Sequence, residues 1–221
     1  MALTALQLLL LDSRAPAGAH AHSAGMEPAV TAGLVHDLDD VEQFCRGRLR
    51  TAGRVNAAFA AAACNLRLGP AAASGAASRA ATGPRWDALH AEYEARLPSQ
   101  ALRTASRQLG NGLRRLLRTM FPDATLPWAG PPHHPIALGF GVALAGGGAP
   151  LAAEAAALAT ISAPASAAVR LLGLDPLAVH AMLGRLTSQL ELPDGLPADS
   201  APFLDLLADV HHTAEVRLFA S

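Results

Sequence analysis

Eleven positions near the start of this 221-residue chain, Ala17 to Glu27, hold two histidines, a hydroxyl and a carboxylate among small residues. His20, His22, Ser23 and Glu27 are the side chains there with chemistry to offer. Imidazole can ligate nickel, zinc or copper, and a serine beside a histidine is the raw material of an activated nucleophile. Two further histidine pairs, His133/His134 and His211/His212, raise the same metal question. None of the pairs has a cysteine close by or a second histidine four residues on, and adjacent histidines on a helix point apart. Ser23 and His22 are sequence neighbours, which seldom form a nucleophile–base couple. No catalytic residue, metal ligand or cofactor-binding residue is therefore assigned, and the chain is not expected to be an enzyme. Ser23 instead suits the cap of a helix starting near Ala24, with Glu27 in its first turn.

Composition narrows the classes further. Seventeen basic residues nearly balance eighteen acidic ones, leaving a net charge of −1, so the basic excess that phosphate backbones require is absent. Every basic residue is arginine, which excludes a P-loop lysine and a Schiff base. Hydrophobic residues make up 51% and charged residues 16%, an apolar balance that favours self-association or a bound partner. Cys45 and Cys64 show no CxxC spacing and read as buried thiols in a reducing cytosol. Met1 to Leu11 lacks a positive n-region and is closed by Asp12, so export is not expected and the location is read as cytoplasmic. Ile136 to Ala163 is weakly polar, but Pro150 and Glu154 interrupt it. Two buried helices fit it better than a membrane span.

The elements that must carry these residues are helical. Leu3–Leu11 is a short apolar helix, and Ala24–Thr31 another. Asp37 to Glu42 opens a helix running to about Asn65. Residues 68–83 are Ala/Gly/Ser-rich and read as a flexible or weakly helical segment, ended by a cap and first-turn pair, Thr82 and Pro84. Ser99 opens an amphipathic helix with Leu102, Ala105, Leu109, Leu113 and Leu116 on one stripe. Arg103, Arg107, Arg114 and Arg118 lie on another face, either solvated or a docking surface for an acidic partner. Helices then break near Gly146–Gly148, restart at Ala165, and restart again at Asp175-Pro176. Phe203, Leu206, Leu207 and Val210 begin the last one. Without strand-like alternation, the fold class is all-α, a single-domain bundle of about nine or ten helices.

Five segments in order carry a family resemblance. Asp12-Ser13-x-x-Pro16-x-Gly18 with His22-Ser23-x-Gly25-Met26-Glu27 resembles the N-terminal signature of the urease accessory protein F (UreF) family. Arg103-x-x-Ser106-x-x-x-Gly110, His134-Pro135-x-x-x-Gly139 and Ala168-Val169-Arg170-Leu171 follow. The chain end, with His211 and Arg217-Leu218-Phe219-x-Ser221, resembles the family's C-terminal motif. Departures are His20 in place of an aromatic, Gly173-Leu174-Asp175-Pro176 in place of P-L-G-Q, and His212 and Val216 in the tail.

The resemblance implies an all-helical homodimer that is no enzyme. It would bridge the accessory protein D (also called H) and the GTPase UreG in delivering nickel to apo-urease, and modulate that GTPase. It places partner contacts at His20, His22, Ser23, Glu27, Arg217, Leu218 and Phe219, with 211–221 as a partner-binding tail, and gives Arg103 and Ser106 structural roles. From the residues alone, a small metal-dependent hydrolase using the histidine pairs and a helical dimerisation module stay open.

Overall fold

The computed structural model describes residues 2–12, 15, 22–69, 79–212 and 218–219, with the side chains of 79–82 and 211–212 left aside. Among them there is no strand. The elements are α1 (Ala5–Leu11), α2 (Met26–Thr31), α3 (Leu38–Arg48), a π-helical turn (Leu49–Gly53), α4 (Arg54–Leu68), α5 (Arg79–Glu94), α6 (Gln100–Met120), α7 (His134–Leu144), α8 (Ala149–Leu172), α9 (Pro176–Thr187) and α10 (Pro202–His212). The α3–π–α4 run is continuous, as the pattern from Asp37 to Asn65 predicts.

Three helix starts carry the expected side-chain caps. Asp37 accepts from the Asp40 amide, Ser99 from Leu102 and Asp175 from Leu177. Elsewhere the structure corrects the expectation. Helix α5 begins at Arg79, so Pro84 lies inside it rather than in its first turn. The buried face of α6 runs through Ala101, Ala105, Leu113 and Leu117 and not through Leu102, Leu109 and Leu116.

Helix α8 does not stop before Ala165 but continues through Pro164 to Leu172. Pro164 has no N–H for the Thr160 carbonyl one turn back, a loss that ordinarily breaks a helix. Here the Arg48 guanidinium donates from Nε to the Thr160 carbonyl at 3.3 Å. The neighbouring polar atoms are satisfied in sequence. Asn56 donates to the Thr160 hydroxyl at 2.9 Å, and Tyr93 donates to Asn56 Oδ1 at 2.7 Å. A side chain from α3 thus replaces the missing amide, and the helix passes through its proline.

Two hydrophobic clusters share α4 and α8. One joins Phe59, Trp86, Tyr93, Leu117, Trp128, Ile136 and Phe140. The other joins Met26, Val41, Cys45, Ile161, Ala165, Met182 and Leu186, with Phe219 from the chain end. Helix α7 lies in the middle of the first, with every residue from Pro135 to Ala143 buried. It presses on α4 so closely that a Cβ at Gly139 would stand 2.0 Å from the Ala60 carbonyl oxygen. Gly110 of α6 is equally tight, 1.9 Å from the Pro132 carbonyl. The glycines of two sequence motifs are therefore backbone contact points.

Helix α8 is long and apolar enough to cross a membrane, but about 44% of its most apolar window is buried inside the fold. It packs against α2, α3, α4, α7 and α9. Both cysteines are buried and free. Burial pushes the Cys45 thiol up to about 12 and the Cys64 thiol up to about 11, so neither is a thiolate at neutral pH.

Candidate functional site

The residues of the opening loop come together with the chain end. Ala24 (φ +51°) and Gly25 (φ +89°) take successive left-handed conformations and turn the chain into α2, which starts at Met26 rather than Ala24. Gly25 is the cap residue, so Ser23 does not fill that role. Its hydroxyl is fully buried and makes no hydrogen bond among the described residues. His22 and Glu27 are buried as well, at 8% and 6% exposure. The loop is therefore not an open face at these positions.

Glu27 reaches backbone donors, but not those of its own helix. Its carboxylate accepts the Leu218 amide at 2.7 Å and the Phe219 amide at 3.0 Å, one on each oxygen. A charged acceptor with two amides makes a strong clamp across nearly the whole chain length. Phe219 is buried in the second hydrophobic cluster, and the Arg170 guanidinium lies 4.7 Å from its ring centroid. Leu218 turns the other way and is 78% exposed. The signature loop, the A-x-R-L segment of α8 and the tail motif thus meet at one place, with Leu218 displayed outward. His20 and Arg217 lie outside the described residues.

A second polar cluster sits under α6. His133 is fully buried, with Nδ1 3.1 Å from the Ser106 hydroxyl and Nε2 3.2 Å from Glu94. Ser106 also accepts the His134 amide at 3.3 Å. Arg107 donates to the same Glu94 oxygen at 2.6 Å, and this bond holds the Glu94 carboxyl below its usual range. Burial, then the Arg107 charge, pushes His133 down to about 4. Burial also takes His90 down to about 4, its ring centroid 5.6 Å from that of His133. His134 turns towards His22 instead. Burial first, then proximity to His22, lowers it to about 4, while burial alone lowers His22.

The members of the His133/His134 pair therefore face different surroundings. Among the described residues no three histidine, cysteine or carboxylate side chains gather at a metal-binding distance. Glu94 and His90 gave no sequence signal, because their grouping with His133 depends on how α5 lies beside the 127–133 loop.

The arginine face of α6 is mostly committed to the fold. Arg103 donates to the carbonyls of Leu97 and Pro98, closing the α5–α6 turn. Arg107 reaches Pro131, and Arg114 reaches Gly130. Among the described residues, Arg118 alone of that face makes no bond of this kind.

The UreF family model matches residues 35–187. The chain is 41% identical to the urease accessory protein UreF of Mycobacterium marinum over 231 aligned residues, covering all of both chains. It is 40% identical to that of Mycolicibacterium vanbaalenii over 230, again covering all of both. It is 39% identical to that of Mycobacterium tuberculosis over 227, covering 98% of each. The chain belongs to the UreF family of urease accessory proteins.

Proposed function

We propose that this UreF-family chain acts as a non-catalytic adaptor in urease maturation, through a surface built on the joint between the signature loop and the tail. The reading supported by the family is assembly with accessory protein D/H and the GTPase UreG, to deliver nickel to apo-urease in the cytoplasm. The observation that carries the surface assignment is the Glu27 clamp on the Leu218 and Phe219 amides. It fixes the tail while leaving Leu218 exposed, which is what a partner-facing anchor requires. In this reading Leu218 and Arg217 meet the partner with His20 beside them, Glu27 and Phe219 hold the tail in place, and the buried His22 and Ser23 support the joint from behind. Homodimerisation is supported by apolar side chains left outside the core, notably Leu8 and Leu9 on α1 and Phe203 and Leu206 on α10.

The test is co-elution on mixing with accessory protein D and UreG. Leu218→Asp changes an exposed side chain, so it should abolish the joint peak while leaving the helical content unchanged. Deleting Arg217 to Ser221 should do the same, with added destabilisation from the loss of Phe219. Full assembly by both variants would remove the tail from the partner surface.

A further inference from the structure

The π-helical turn Leu49–Gly53 opens a cleft of about 690 Å3 against the end of α9 and the residues after it. Its walls carry Arg46, Arg50 and Arg54, spaced four apart, with Leu49 and Ala157 as apolar floor and Glu191 opposite. In an uninterrupted α-helix, positions four apart drift by about 40° per step. The wider π turn counters that drift between Arg50 and Arg54, keeping the three guanidinium groups on one wall.

The three cations are not equivalent. Arg46 donates to Glu42 at 2.6 Å and to Gln189 at 2.5 Å, and Glu42 is shared with Arg185 at 2.6 Å. Arg54 donates to Asp199 at 2.8 Å. Arg50 is exposed and has no hydrogen-bond or ion-pair partner among the described residues. Glu191, in the same lining, also lacks one among those residues. The cleft thus holds one guanidinium that no acid neutralises by contact, framed by two that are fixed, above an aliphatic floor.

We propose that this cleft binds a peptide segment presenting a single carboxylate beside an aliphatic side chain, with Arg50 as the carboxylate's partner. Guanidinium matches a carboxylate in bidentate geometry. The single uncompensated charge and the facing Glu191 favour a monoanion over a phosphate dianion. Leu49 and Ala157 accept the aliphatic neighbour. None of these residues belongs to the Glu27–tail joint, so the cleft stands or falls independently of the adaptor surface.

The probe is the blocked dipeptide acetyl-leucyl-glutamyl amide, titrated into the full chain while backbone amide shifts are followed by NMR. Saturable shifts are expected across residues 49–57. Binding should weaken about fivefold in Arg50→Gln, an exposed change that leaves the fold intact, and tighten about twofold in Glu191→Gln, as expected for partly exposed charges. Inorganic phosphate and the neutral glutaminyl analogue should both bind more weakly. The proposal is overturned if no shift saturates, if Arg50→Gln binds equally well, if the neutral analogue matches the acid, or if phosphate binds more tightly than the dipeptide.

Discussion

The α4–α7 contact and the Glu27–tail contact both join segments far apart in the chain, by opposite means. At Gly139, helix backbones meet with no side chain between them, and apolar residues surround the contact. At Glu27, two hydrogen bonds hold a short piece of chain whose one neighbouring residue is buried and whose other is exposed. The first contact cannot loosen without separating two core helices. The second can open by losing two hydrogen bonds and one aromatic ring. The difference distinguishes a scaffold from a joint, since segments with few buried contacts open at low free-energy cost.

The sharpest way to test that contrast is Gly139→Ala. With backbone 2.0 Å from the new Cβ, α4 and α7 must move apart, and a loss of about 3 kcal/mol or more is expected in denaturant unfolding. A stability change near zero would mean that the helices do not meet as described. Arg48→Ala should come next, costing about 2 kcal/mol, because it leaves the Thr160 carbonyl without the donor that Pro164 cannot supply. Arg48→Lys, which keeps a donor, should recover part of that loss. Equal stability of all three proteins would refute this account of the proline.

Acid should act on the scaffold through its histidines. His90, His133 and His134 have folded-state values near 4, below the ordinary 6.5. Between those values the unfolded chain binds more protons than the native one, so stability is full above about pH 7 and falls as pH drops through 6.5 towards 4. Each ring contributes up to about 1.4 kcal/mol per pH unit in that window, so the three together give a slope of up to about 4 kcal/mol per pH unit. A flat profile there would show that the three rings are not desolvated. His133→Gln should reduce the slope.

The smallest effect belongs to the joint. Glu27→Gln removes the charge and one of the two acceptor oxygens, for about 1 kcal/mol of local stability. Hydrogen exchange at the Leu218 and Phe219 amides should accelerate severalfold, with the amides of α7 unchanged. Equal acceleration in α7 would erase the distinction between scaffold and joint.

Much of the scaffold was legible from residue types. Asp37, Ser99 and Asp175 cap their helices because a short oxygen acceptor suits free first-turn amides wherever a helix begins. The candidate site was legible only as a set of names. Ser23 had every local qualification for a cap, yet the paired left-handed turn at Ala24 and Gly25 took the chain past it and left its hydroxyl buried. The break expected before Ala165 failed for a similar reason, since a donor 112 residues away in sequence replaces the amide that Pro164 lacks.

By itself the sequence determined the all-α class, most helix boundaries and the family, because caps, glycines and apolar spacing act over a few residues and leave a local record. Only the tertiary structure decided that Glu27 holds the tail, that His133 and His134 part company, and that Arg50 stands unpaired in a cleft. Those outcomes depend on which distant groups arrive within about 3 Å of one another, the reach of a hydrogen bond, and spacing along a chain does not encode that distance.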